Sequence, residues 1–258
     1  MNYWRLQWIA YGTIVRKEIR RFTRIWVQTI TPPAVNALLY MLIFGGLIGS
    51  RIREVDGFVY MDFLIPGIIM MGIITNSYGN VVSSFFGTKL QKYIEELLVS
   101  PVSNATILTG YVTGGVARGA AVGLVVSLVA MFFTDLRPVH PVTTIIIAVL
   151  TSIMFSLAGL INAVYAQTFD ECSIVPHFVL TPLTYLGGIF YSISMLPPLA
   201  QKLSLFNPVL YMINGFRYGI LGVSDIPLWQ SYAVIIVFIA ILGTIAMTLL
   251  NRGVGIKP

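Results

Sequence analysis

The sequence predicts an all-α membrane protein: six transmembrane helices, an N-terminal amphipathic interfacial helix, a short charged helix after the second span and re-entrant helices before the last. Three observations carry this. Long stretches without Lys, Arg, Asp or Glu cover residues 25–50, 63–88, 97–117 (continuing past Arg118 to 134), 138–169, 172–201 and 226–251, each matching or exceeding the roughly 20 apolar residues that cross a bilayer core. The chain is 57% hydrophobic and 10% charged, with a mean hydropathy of +0.84, against roughly 25% charged residues in soluble domains. Basic residues also gather on one side: ten of the sixteen Lys and Arg fall in segments that an even span count returns to the cytoplasm.

The first 24 residues hold Arg5, Arg16, Lys17, Arg20, Arg21 and Arg24 against one acid, Glu18. At 100° per residue, Trp4, Trp8, Tyr11, Ile14, Val15, Ile19, Phe22 and Ile25 fall within an arc of about 140° opposite the basic residues. Residues 1–24 thus read as an interfacial helix, basic toward headgroups and aromatic toward lipid or the protein's own bundle. A secretory signal is the competing reading, but the following run lacks a small-residue cleavage site and is too long for a signal core. The positive-inside rule keeps this end cytoplasmic, and an even span count returns Arg252 and Lys257 to the same side. The spans are expected at 25–50, 59–87, 105–133, 141–166, 173–195 and 229–250, within one domain covering 1–258. Trp26 and Trp229 suit the interfacial aromatic belts.

Few polar groups stand inside the spans. Asn36, Tyr40, Asn76, Tyr78, Asn80 and Asn162 serve either interhelical hydrogen bonds or a substrate path, and Tyr185 and Phe190 join the pathway candidates. Arg118 lies about 12 residues into the third span, roughly 18 Å along a helix. It reads as half of an ion pair with Glu18 or Glu171, as a substrate contact, or as a snorkelling side chain. Span three also carries Gly110, Gly114, Gly115, Gly119 and Gly123, small residues that let helices approach closely within a subunit or between subunits. The single cysteine, Cys172, excludes an intrachain disulfide, and His140 and His177 are too far apart in topology for a metal site.

Two gaps are unusual. Residues 88–101 include Lys89, Lys92, Ile94, Glu95, Glu96, Leu97, Leu98 and Pro101, and read as a short amphipathic helix presenting its acids to a partner, or as a solvated loop. Residues 196–222 contain Leu196-Pro197-Pro198, Asn207-Pro208, Tyr211, Arg217 and Gly222. These breakers favour two short helices that dip into the outer leaflet, with a surface loop as the alternative.

These motifs carry a resemblance. Ile94-Glu95-Glu96-Leu97-Leu98-Val99-Ser100-Pro101 resembles the signature after the second span of ABC type-2 permeases, and Leu196-Pro197-Pro198 … Asn207-Pro208 … Tyr211 … Arg217 … Gly222 is similar to that family's outer re-entrant motif. Pro182 and Gly187-Gly188-Ile189-Phe190 match its fifth span. The likeness covers essentially the whole chain and points to the small bacterial inner-membrane, drug-export-like branch. The family's frequent Arg-Gly-Thr before the acidic turn is replaced here by Gln91-Lys92-Tyr93.

The resemblance implies a half-transporter that pairs with a second copy of itself and with two ATP-binding cassette subunits. It makes 88–101 a cytoplasmic coupling helix, and Asn207, Pro208, Tyr211 and Arg217 an outer gate. The chain has no G-x-x-x-x-G-K-[ST] loop, so ATP and Mg are expected on the partner, with no cofactor on this chain and no enzyme activity of its own. A hydrophobic or amphipathic cargo is expected, a drug or lipid, with a polyprenyl-linked saccharide as the second choice. The basic balance is explained by membrane orientation rather than by nucleic acid. An ion-coupled secondary transporter or channel is the alternative class; such proteins usually carry intramembrane acids, whereas the central ionisable group here is an arginine.

Overall fold

The computed structural model describes residues 2–49, 51 and 54–255. Arg53 and Lys257, counted above by side, lie outside them, as do the side chains of Glu95 and Leu98.

Helix α1 (Tyr3–Arg24) runs along the bundle and turns at Ile25 into α2 (Trp26–Tyr40), which continues as a π-helical stretch, Met41–Ile48. Pro32 and Pro33 lie inside α2, where each removes a backbone donor. A two-stranded hairpin follows, β1 (Glu54–Val55) and β2 (Phe58–Val59), with Glu54 opposite Val59. Its turn is Asp56-Gly57, both at positive φ, the Asp-Gly pair that two-residue hairpins favour.

The chain then enters α3 (Tyr60–Leu90), the buried centre of the molecule. Phe63, Leu64, Ile65, Met70, Ile74, Val81 and Phe85 along its length are all inaccessible, because α5 (Asn104–Ala130) and α6 (Pro141–Tyr165) pack on it from either side. Between α3 and α5 lies the seven-residue α4 (Tyr93–Val99). The glycines of α5 receive neighbours on two faces. A Cβ on Gly114 would sit 2.5 Å from Glu18 Cβ, and one on Gly110 2.7 Å from Ile14, so α1 rests directly on the α5 backbone. Gly115 and Gly119 meet Ser156 of α6 and Ser77 of α3 in the same way. This stripe builds the subunit's own interior, as small residues do where packing drives association.

Among the described residues, five helices are long and apolar enough to cross a membrane: Trp26–Gly46, Tyr60–Leu90, Asn104–Ala130, Pro141–Tyr165 and Leu228–Arg252, the last being α11. The span expected at 173–195 has a different form. It is a shorter helical run made of α7 (Phe169–Val175), a π-helical turn (Pro176–Leu180) and α8 (Thr181–Tyr185). Pro176 and Pro182 interrupt its hydrogen-bond ladder, and Gly188, at φ 80°, turns the chain away. The helix expected over 88–101 is also shorter. Helix α3 continues to Leu90, and Lys92 adopts a left-handed conformation before α4 begins. Beyond 196, α9 (Pro198–Ser204) and α10 (Pro208–Leu221) stand on either side of Asn207.

Candidate functional site

At the end of the bundle that carries α4, the interior is polar and held by α1. Glu18 is completely buried. Its carboxylate accepts from Ser84 Oγ and from Asn80 Nδ2 (3.3 Å) and lies 3.5 Å from Arg21 Nη2. Arg21 Nη2 also donates to the Asn80 side chain and backbone carbonyl, each at 2.8 Å. Near the start of α1, Gln7 bridges to the α4–α5 junction: Nε2 donates to the Pro101 carbonyl (2.9 Å), while Oε1 accepts from Ser103 N–H (2.9 Å) and Thr106 Oγ1 (2.7 Å). Helix α1 is therefore pinned at both ends, and Trp4 and Trp8 are left 71% exposed on its outer side.

Helix α4 is fixed by Ile94, which is buried, and by Leu97, which is half-buried; Glu96, Lys92 and Tyr93 are exposed. A cleft of about 420 Å³ separates α4 from α1, lined by Lys17, Thr88, Tyr93, Glu96, Leu97 and Tyr111 among others. Lys17 Nζ donates to Thr88 Oγ1 (3.3 Å) and lies over the Tyr111 ring. Burial pulls its ammonium below the usual lysine range.

The expected Arg118–Glu18 ion pair does not form, because Glu18 is already neutralised by Arg21 and hydrogen-bonded by Asn80 and Ser84. Glu171, the other acid considered, accepts from Gln167 N–H at the start of α7 (2.8 Å). Arg118 instead donates from Nη2 to Asn76 Oδ1 (3.1 Å). Together with Asn36, both residues line a cleft of about 250 Å³ between α2, α3 and α5.

The pathway candidates divide into three groups. Asn36 and Asn76 share the Arg118 cleft. Tyr40 and Tyr185 meet hydroxyl to hydroxyl at 2.6 Å, and Phe190 packs near both, with Phe44 4.6 Å away between ring centroids. Tyr78 and Asn80 belong to neither: both are buried inside the bundle, and Asn80 is committed to Glu18 and Arg21. Their helix, α3, is enclosed by α5 and α6, so these side chains face protein rather than an open path.

At the opposite end, Asn207 caps α10 by accepting from Val209 N–H (3.0 Å) and ties it to the Leu183 carbonyl through Nδ2 (2.7 Å). Pro208 takes the first helical position, where its missing N–H costs nothing. Tyr211 donates to the Leu205 carbonyl (2.9 Å). Arg217, placed by the sequence at an outer mouth, is 1% exposed. Its Nη2 donates to the Gly188 carbonyl (2.6 Å) and its guanidinium lies 3.8 Å from the centre of the Phe63 ring. It cross-links α10, α3 and the 186–191 turn from within, because α10 presents this face to the bundle.

Sequence reasoning missed Gln7, and it missed Asn214 and Asp225. Asn214 Oδ1 accepts from Asp225 N–H (3.0 Å), and the Asp225 carboxylate accepts from Ser192 Oγ (2.9 Å) and Ile193 N–H (3.2 Å). An acid isolated in the apolar 223–228 segment was the available signal.

Long apolar helices packed around the buried α3, with the basic α1 and the charged α4 at one end, mark a polytopic membrane protein. The chain belongs to the ABC-2 type transporter family, which residues 9–221 match. It is 54% identical over 252 residues to the inner membrane transport permease YadH of Escherichia coli K12, covering 98% of each chain. Nodulation protein J of Rhizobium leguminosarum bv. viciae is 21% identical over 248 residues, 96% of this chain and 95% of that one. Its counterpart in Rhizobium meliloti is 22% identical over 222 residues, 86% and 83% of the two chains.

Proposed function

We propose that this chain is the permease subunit of an ATP-driven exporter in a bacterial inner membrane. It works as a pair of copies with two ATP-binding subunits and moves a hydrophobic or amphipathic cargo. The observation that carries the reading is the setting of α4: a seven-residue helix wedged by Ile94 under α3, with Glu96 exposed beside a cleft against α1. A motion imposed on α4 passes to α5 through Ser100 and Pro101, and to α1 through the Gln7 bridge. We read the chain as crossing six times, with 169–185 as the fifth crossing and both termini in the cytoplasm, an orientation that the excess of basic residues at that end supports. In this arrangement Glu95 and Glu96 dock the ATP-binding subunit, which holds ATP and Mg. Asn207, Pro208 and Tyr211 shape the exit, and Arg217 holds that region to the bundle.

The test is charge reversal at the dock. Glu96→Lys should reduce recovery of the ATP-binding subunit with the tagged permease and uncouple its ATPase activity, while membrane insertion stays normal. Wild-type recovery and coupling in this variant would remove α4 from the contact.

A further inference from the structure

Arg118 stands 14 residues after the first residue of α5 and 12 before its last, so roughly 20 Å of helix separates it from either end. Its three-methylene stem cannot carry the guanidinium to either end of the helix over that distance. The group cannot shed its charge either, since arginine stays protonated in proteins. Yet it has one side-chain partner among the described residues, the neutral Asn76, and its buried Nε has none. The chain offers Arg118 no free counter-charge: Glu18 packs on Gly114, one helical turn away, but is already taken by Arg21. Of its ten acids, Glu18 is committed to Arg21, and the other nine occupy connecting segments, α4 or the terminal turns of α3 and α7. A second copy would bring the same ten, so dimerisation cannot neutralise Arg118. The cleft in front of it presents Gln28, Thr29 and Asn36 from α2 and Thr75 and Asn76 from α3. Thr29, Thr75 and Asn76 already donate to the carbonyls of Phe22, Met71 and Gly72, which leaves the Gln28 and Asn36 amides for an oxyanion to use once a cation has neutralised it. Beside the cleft, Val35, Leu38, Leu39 and Leu42 of the α2 segment are exposed and apolar.

We propose that this cleft binds the anionic headgroup (a phosphate, sulfate or carboxylate) of an amphiphile whose tail lies along the exposed face of α2. The proposal rests on the reading of the chain as a permease and gives its cargo a charge. An uncompensated cation within a span is costly, and an incoming oxyanion supplies the partner the protein lacks through charge-assisted, two-pronged hydrogen bonds.

Native mass spectrometry of the full-length chain in neutral dodecyl maltoside tests this without ATP or an ATPase. Two ligand pairs with matched tails are compared: dodecyl phosphate against dodecylphosphocholine, and phosphatidylglycerol against phosphatidylcholine. The basic face of α1 contributes its own preference for anions, so the reading is the difference between wild type and Arg118→Gln. The variant should lose about ten- to hundredfold of the anionic preference, the scale of a charge-assisted hydrogen bond, and Arg118→Lys should keep most of it. A loss confined to the dodecyl pair identifies a free single-chain amphiphile, and a loss confined to the lipid pair a bilayer lipid; either supports the site. An equal preference in wild type and Arg118→Gln overturns it. If the glutamine variant does not fold, Asn36→Asp places a carboxylate at the exposed rim and must lower the preference by the same ten- to hundredfold; unchanged binding there also overturns the proposal. Failure of this test leaves ATP-driven export standing, and failure of the docking test leaves this site standing.

Discussion

Replacing Glu18 by alanine removes the acceptor on which Ser84, Asn80 and Arg21 converge at the buried face of α1. Glu18 is fully enclosed, so no water fills in at once for the lost carboxylate, and Arg21 is left without its counter-charge. Breaking one side of such a pair costs about 3–5 kcal/mol. Arg21 is partly exposed and can turn toward solvent, so the lower end of that range is expected. Glu18→Gln keeps the shape and one acceptor, and should cost about 1–2 kcal/mol. Reversible unfolding in mixed detergent micelles, followed by tryptophan emission, measures both, with Trp4 and Trp8 reporting on α1 itself. In a double-mutant cycle with Arg21→Ala the coupling should fall at about 1–3 kcal/mol. The reasoning is refuted if Glu18→Ala stays within about 0.5 kcal/mol of wild type, the range of surface substitutions.

Other substitutions probe the remaining joints. Arg217→Ala removes the Gly188 hydrogen bond and the packing on Phe63; it should destabilise the chain by about 2–4 kcal/mol, visible as reduced thermal stability in detergent before any transport defect. Gly119→Leu drives a side chain into Ser77 and Ser152, and should abolish folded protein by size-exclusion chromatography, whereas Gly46→Leu, with no neighbour in reach among the described residues, should be tolerated. Single cysteines at Asp135 and Ser224 should react with an impermeant thiol reagent from outside the cell and one at Ser103 should not; the opposite pattern reverses the orientation.

Much of this architecture is written in local sequence. Uncharged runs mark α3, α6 and α11 to within about four residues, because lipid excludes charge over a fixed length; the run over α5 starts seven residues early at Leu97 and is broken by Arg118. Asn207-Pro208 marks the break before α10, because Asn caps and Pro starts a helix. The hairpin at 54–59 was also legible in Asp56-Gly57 but was hidden by the charge-based division into spans. The 169–185 run is harder: an apolar stretch continues to 201, and composition does not weigh Pro176, Pro182 and Gly188 as structure does. The fate of each charge was the least legible part. A helical wheel centred on Trp4 and Trp8 sorts hydrophobic from basic, yet the buried stripe of α1 is Gln7, Ile14, Glu18 and Phe22, polar at two positions because its neighbour supplies partners. Arg118 and Arg217 exchange expected settings for the same reason. Which face of a helix meets another is a tertiary fact, and it leaves Arg118 beside a neutral amide and Arg217 inside the bundle.

The central claim is that this chain is half of an ATP-driven machine, and the mass of the assembly it forms tests that most directly. Tagged permease extracted gently from native membranes and weighed by native mass spectrometry should give a complex of two permease copies and two ATP-binding subunits, the latter lost on Glu96→Lys. A permease that is always recovered without an ATP-binding chain, across detergents that preserve the dimer, would contradict the account.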